Sequence, residues 1–165
     1  MKKALRILCD LILAATVFTV LLFFVLQICG YQLYTVVSGS MEPKVSVGSV
    51  CLIDTKVPYK EIKAGDVIAF SQGDLKVTHR VKAVTEKGLE TKGDANAHSD
   101  GITTTKKNYI GKNVGSMPYL GYGLKYLQTD QGRIVALTVL VALFLVSVLA
   151  DQKSDQKIKE KEELL

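Results

Sequence analysis

A mostly β domain flanked by two transmembrane α-helices is the fold class that the sequence predicts, and three observations predict it. Two long uncharged apolar runs lie toward the two ends of the 165-residue chain. Between them, short runs of branched and aromatic residues alternate with turn signals. No long stretch of that middle region shows a convincing 3.6-residue period. With 48% hydrophobic residues, the length fits one modest domain plus membrane segments better than two domains.

The first run, Leu11 to Cys29 (LILAATVFTVLLFFVLQIC), would rise roughly 28 Å as a helix, about the hydrocarbon thickness of a bilayer. Lys2, Lys3 and Arg6 before it are also what a cleaved secretory signal carries. The apolar part is too long for one, however, and the end, QICGYQLY, has no small-x-small cleavage site, so a retained anchor over 11–29 is expected. The basic residues then leave 1–10 in the cytoplasm and 30–133 outside. The surplus of basic residues in the middle segment does not oppose this, because long domains translocate largely regardless of charge. The second run, Ile134 to Ala150 (IVALTVLVALFLVSVLA), would rise about 25 Å, at the short end of the spanning range. It returns the tail 151–165 to the cytoplasm, where mixed charges close together read as a solvated helix without chemistry.

Within the outer domain, VSVGSVCLID, AGDVIAF, the Gln72-Gly73-Asp74 turn and KVTHRVKAV read as strands and hairpins, followed by GLETK and NYIGKNVG. Tyr31 and Tyr34 after the first span, and Tyr119, Tyr122 and Tyr126 before the second, are residue types that favour the headgroup level, which keeps both ends of the domain near the bilayer. Gly121, Gly123 and Gly132 read as loop punctuation.

Composition also excludes some functions. The net charge of +5 is spread out, with no basic run interleaved with aromatics, so no nucleic-acid partner is expected. Cys9 and Cys29 lie in or beside the first span and Cys51 stands alone outside, which suggests neither a disulfide nor a CxxC metal site.

The stretch that invites a chemical reading is Val36 to Pro43, VVSGSMEP. Ser40 is eleven residues beyond Cys29, so even an extended chain carries it only roughly 36 Å from the membrane face. A serine hydroxyl is a poor nucleophile until a base takes its proton. The two histidines are His79 and His98. Strict alternation in KVTHRVKAV places Val77, His79, Val81 and Ala83 on one face and Thr78, Arg80 and Lys82 on the other. His79 among valines is either a hydrogen-bonded core residue or a base. The segment TKGDANAHSD supplies Asp94 and Asp100, either of which could orient an imidazole or simply form an Asx-turn. His98 could join His79 and an aspartate around zinc, but no tight ligand spacing supports this, and neither metal nor cofactor is expected.

The order SGSMEP, GDVIAF, VTHRV, TKGDANAHSD resembles the successive boxes of type I signal peptidases, in the ER-type branch, over roughly residues 36 to 115. That branch has histidine followed by arginine where the bacterial branch has lysine as base, and this chain has His79-Arg80. The resemblance implies a signal-peptidase-like β fold, with Ser40 as nucleophile, His79 as base, Asp100 orienting the histidine and Asp94 supporting the site. It also implies that the Ser38 hydroxyl stands beside the Ser40 amide as an oxyanion donor. The chain departs from the family pattern at Ala95, since the usual Gly-Asp-Asn-Asn is here Gly93-Asp94-Ala95-Asn96, and at His98, which could compete for Asp100. The second span, absent from many eukaryotic members, fits a prokaryotic membrane-anchored form from a Gram-positive-like bacterium or an archaeon.

The activity so implied is a serine endopeptidase in the cell membrane, multi-pass, with its active site on the extracytoplasmic face, cleaving signal peptides after small residues of the Ala-x-Ala type. Its partners would be secretory preproteins and the lipid bilayer, with neighbours in the secretion machinery left open. Met41 and the strand DVIAF either line the shallow apolar pockets such specificity needs or are ordinary core. The alternative function is a non-catalytic anchored β domain that binds extracellular or pilus-like partners, the serines being only a turn.

Overall fold

The computed structural model describes residues 2–162. In chain order the elements are α1 (Lys2–Ile28), β1 (Tyr31–Thr35), β2 (Val50–Asp54), β3 (Val67–Gln72), β4 (Leu75–Thr85), β5 (Gly88–Lys92), β6 (Thr103–Thr104), β7 (Tyr109–Met117), α2 (Leu120–Gln128) and α3 (Asp130–Glu162). The chain divides into a helical unit, up to Val25 and from Leu127 onward, and a β unit, Leu26–Tyr126. Of the tail expected at 151–165, α3 covers the part to Glu162, and 163–165 lie outside the described residues.

Two stretches of the helical unit, Ile7–Ile28 and Asp130–Leu149, are long and apolar enough to cross a membrane. Within them Thr16, Thr19 and Thr138 donate to the carbonyls of Ile12, Ala15 and Ile134, each at 2.8 Å. Such local bonding satisfies a hydroxyl where no water is available. Half-buried Leu13, Thr16 and Phe23 on α1, and Ala136, Leu140, Leu143 and Ser147 on α3, recur at helical intervals, so each helix has one partly covered stripe. Ser147 Oγ of α3 donates to Asp10 Oδ1 of α1 at 2.5 Å, beside buried Cys9.

The β unit is a seven-stranded sheet in the order β1-β2-β7-β3-β4-β5-β6, antiparallel at every pairing. Strand β3 explains how so few residues make two cores. Its alternation sends Ile68 and Phe70 into a cluster with Ile62, Val81 and Leu89, and sends Ala69 into another with Met41, Val45, Cys51 and Ile53. Register shifts at Leu52/Ile53, Ala69/Phe70 and Val81/Ala83 mark bulges, which bend strands and increase twist. The β3–β4 hairpin turns through Gly73-Asp74, with Gly73 at φ +60 and Gln72 paired with Leu75.

Two expectations about this region are corrected, and Tyr31 and Tyr34 receive a place in the sheet. Only Val50–Asp54 of VSVGSVCLID is strand. The residues before it form turns, with Gly48 at φ +80. Tyr31 and Tyr34 lie in β1, paired with β2, and Tyr34 packs on the first core cluster with the Lys76 ammonium 5.0 Å from its ring centroid. Residues 120–128 form a helix, so Gly121 and Gly123 are not loop punctuation, and Gly132 sits in α3. A Cβ at Gly121 would lie 2.7 Å from both Gly48 O and Thr35 Cγ2, and the Gly121 amide donates to Gly48 O at 2.9 Å. Glycine there is what lets α2 close onto the turn before β2.

Candidate active site

Ser40 sits in a chain of turns between β1 and β2, where Glu42 N–H donates to Gly39 O at 3.0 Å and Val45 N–H to Met41 O at 2.8 Å. The next side chain, Met41, is 2% exposed and anchors the segment in the first core cluster. Met41, like Ile68, Ala69 and Phe70 of the DVIAF strand, is buried and belongs to the core clusters. Ser40 itself stays half-buried.

His79 lies on β4 opposite Ile68 of β3, and its ring meets Phe70 edge-on at a centroid distance of 6.2 Å. The apolar face read from KVTHRVKAV therefore exists, and His79 is buried on it. Its imidazole is also bonded at both nitrogens. Nε2 lies 3.0 Å from Ser40 Oγ, and Nδ1 lies 2.7 Å from Asp100 Oδ2. The His79 and Asp100 side chains are only 10% and 7% exposed, so the pair interacts with little screening from water. Serine and histidine, 39 positions apart in sequence, thus meet directly. Ser38 Oγ lies 3.3 Å from Ser40 Oγ.

Asp94 takes a different place from Asp100. Arg80 grips it with two hydrogen bonds, Nε to Oδ1 at 2.8 Å and Nη2 to Oδ2 at 2.6 Å, while Nη1 donates to Gly65 O at 2.8 Å. The Arg80 hydrogen bond holds the Asp94 carboxyl below the usual carboxylate range, and Asp94 in turn pushes the Arg80 guanidinium up. Asp94 starts a tight turn that leans on the Ser40 backbone, for the next amide, Ala95 N–H, donates to Ser40 O at 2.9 Å. Gly93 is required by the same approach, since a Cβ would fall 2.6 Å from Ser40 O. The departure at Ala95 is harmless to this contact because it uses only the backbone.

His98 is exposed and stands apart from the Ser40–His79–Asp100 chain, whose Oδ2 acceptor is already shared by His79 and Thr91. No group of three or more His, Cys, Asp or Glu side chains that could hold a metal ion occurs among the described residues. Cys51 is fully buried and burial pushes its thiol up to about 11, which keeps it protonated and inert near neutral pH.

Two participants are not evident from the sequence reading. Arg80 enters it only as the residue after the histidine, and Thr91 does not enter at all. A signal for Thr91 exists: alternation along GLETK puts it on the same face as Leu89, and a buried threonine needs a partner. That partner is Asp100, whose Oδ2 accepts from Thr91 Oγ1 at 2.5 Å.

A family model described as signal peptidase, peptidase S26, matches residues 9–118, a stretch that contains every one of these side chains. The chain belongs to that family. It is similar to signal peptidase I W of Bacillus subtilis (strain 168), with 40% identity over 91 residues, which is 52% of this chain and 48% of the relative. It is also similar to the signal peptidase complex catalytic subunit SEC11 of Chaetomium globosum, 32% identical over 100 residues, covering 53% of this chain and 58% of that protein. The corresponding subunit of Ogataea parapolymorpha is 28% identical over 125 residues, covering 61% and 70%. The chain thus spans about half the length of the first of these curated relatives.

Proposed function

We propose that the protein is a membrane-anchored serine endopeptidase that removes signal peptides from secretory precursors after small residues, using Ser40 as nucleophile, His79 as general base and Asp100 as the group that orients His79. The observation that carries this reading is the continuous hydrogen-bonded chain from Ser40 Oγ through His79 to Asp100 Oδ2, at 3.0 and 2.7 Å. A buried histidine needs partners at its nitrogens in any role, but a core role does not call for a serine hydroxyl at one nitrogen and a carboxylate at the other, and a turn serine would need no imidazole at hydrogen-bond distance.

Each step of acyl transfer has a group in reach. His79 Nε2 takes the Ser40 proton as Oγ bonds to the scissile carbonyl carbon, and Asp100 stabilises the imidazolium so formed. The developing oxyanion is met by the Ser40 amide and the Ser38 hydroxyl. Collapse breaks the C–N bond, with the imidazolium proton passing to the leaving amine. Water, deprotonated by His79, then hydrolyses the ester and restores Ser40.

The reading also assigns topology: 11–29 and 134–150 as spans, 1–10 and 151–165 in the cytoplasm, and 30–133 outside. Two helices long and apolar enough to cross a bilayer support membrane association. A secretory precursor presents its cleavage site just past an apolar helix, so a site tethered to the outer face meets it by diffusion in two dimensions. Exposed Tyr119, Tyr122 and Tyr126, next to the start of α3, are the residue types that favour that interface.

The test is processing of a precursor bearing an Ala-x-Ala site in membranes containing the full-length protein. Ser40→Ala and His79→Ala should each abolish cleavage while the protein accumulates at its normal level. Cleavage at the normal rate by either variant would falsify this function and favour a binding domain.

A further inference from the structure

The ten residues Thr91 to Asp100 leave β5 and return to its end, and one residue closes the loop on itself. Asp100 N–H donates to Thr91 O at 3.0 Å, and Thr91 Oγ1 donates to Asp100 Oδ2 at 2.5 Å. Thr91 is thus bonded to Asp100 through both backbone and side chain. It is itself fully buried and paired with Val81 on β4, two residues along from His79.

The surroundings of Asp100 make this anchor consequential. Its neighbours Ala97, His98, Ser99, Gly101 and Ile102 are all exposed, and Gly101 has φ +66, a conformation that constrains the chain little when glycine occupies it. The carboxylate that faces His79 therefore stands on a loop whose adjoining residues are solvated. A two-point attachment to a buried strand residue is what fixes both the position of its Cα and the rotation of its carboxylate. Thr91 Oγ1 and His79 Nδ1 share the same oxygen, so the threonine proton also determines which lone-pair direction is left for the imidazole.

We propose that Thr91 is a positioning residue for the reaction, which rests on the catalytic reading above: its hydroxyl aims Asp100 Oδ2 at His79 Nδ1 and so keeps Nε2 directed at Ser40. Thr91 touches no reacting atom. Its contribution acts wholly through Asp100, and it belongs to the step in which the imidazolium forms rather than to substrate binding.

The prediction separates kcat from KM. Replacing an orienting aspartate by asparagine costs about 10⁴ in kcat in serine peptidases, and losing the outer hydrogen-bond partner that orients a metal ligand, the nearest analogue of the Thr91 contact, typically costs roughly 10- to 100-fold. Thr91→Val keeps the side-chain shape and deletes the donor. In full-length protein in membranes, acting on a precursor peptide with an Ala-x-Ala site, it should lower kcat roughly 10- to 100-fold and leave KM within about twofold. Thr91→Ser keeps the donor and should recover most of kcat. Thr91→Val added to Asp100→Asn should cost no more than about twofold further, since the group it positions is already altered.

Three results would overturn the proposal: normal kcat in Thr91→Val, a Thr91→Ser variant as slow as Thr91→Val, or a full additional loss in the Asp100→Asn background. Should Thr91→Val fail to accumulate, Thr91→Ala compared with Thr91→Ser gives the same discrimination. Failure of the catalytic reading looks different, because Ser40→Ala would then still cleave. Failure of this inference leaves Ser40→Ala inactive and Thr91→Val unimpaired.

Discussion

Asp94→Asn isolates what the Arg80–Asp94 pair does for the turn beneath Ser40. Asparagine keeps the shape and one acceptor but removes the charge that makes both Arg80 hydrogen bonds charge-assisted, at 2.8 and 2.6 Å. A hydrogen bond to a charged group contributes about 1.5–3 kcal/mol and an exposed ion pair about 0–1 kcal/mol. With side chains 27% and 20% exposed, the pair lies between these limits, at about 1–2 kcal/mol. For a unit of the size of Leu26–Tyr126, that is a fall in thermal midpoint of about 5–10 °C at pH 7. The pH dependence gives a sharper test. Arg80 holds the folded Asp94 carboxyl below its ordinary value, so the pair's stabilisation is fully present above the unfolded aspartate value of about 3.9 and is lost as pH falls through the lower folded one. Wild type and variant should therefore be well separated at pH 7 and converge progressively below about pH 4. The assay is thermal unfolding of the full-length protein in detergent micelles, followed by the near-ultraviolet circular dichroism of its tyrosines. A midpoint unchanged at pH 7, or a gap as wide at pH 3 as at pH 7, would refute the assignment of Asp94 to a charged clamp.

The remaining expectations concern the reaction. Ser38→Ala should lower kcat roughly 10²-fold, about 3 kcal/mol, with little change in KM, because an oxyanion donor acts in the transition state; steady-state cleavage of a precursor peptide reads this, and an equal loss expressed in KM alone would remove Ser38 from that role. The rate should also fall on the acid side as an imidazole base is protonated. Cleavage that stays constant down to about pH 4, well below the reference histidine value of about 6.5, would exclude histidine as the base.

What was legible in the sequence was whatever local chemistry specifies. Gly73-Asp74 between two branched runs gives the β3–β4 hairpin, because only a tight turn with positive φ joins paired strands so closely. Alternation gives the buried face of β4 and with it the inward direction of His79. What was hidden depends on partners far along the chain. Tyr31–Thr35 is a strand because β2 pairs with it, and nothing within its five residues distinguishes that from an interfacial aromatic segment. The helix at 120–128 is short and carries two glycines that lower its intrinsic helicity. It is secured instead by the close approach of Gly121 to Gly48, a contact between residues that no periodicity links. At the candidate site the same division holds. Ser40, His79, Asp94 and Asp100 could be named from residue types and order, and the resemblance already implied different places for the two aspartates, whereas the partners that hold them, Arg80 for Asp94 and Thr91 for Asp100, follow from β4–β5 pairing, which brings Arg80 opposite Lys92 and Val81 opposite Thr91.

That pairing also explains why a single loop can serve the site from two directions. Thr91 on β5 closes the loop by taking Asp100 to the histidine, and Gly93 and Ala95 of the same loop bear on the Ser40 carbonyl. Arg80, the residue after His79, holds the loop through Asp94. His79 and Asp100 are therefore both held by the β4–β5 pair, whose loop also bears on the Ser40 carbonyl, while Met41 fixes the Ser40 segment in the core. The loop thus carries both Asp100 and a support under Ser40, so its attachment bears on two contacts of His79 at once. Perturbations that break the loop's attachment to β4 or β5 should thus appear first in the alignment of Ser40 with His79, and in domain stability only by the modest amount each hydrogen bond contributes.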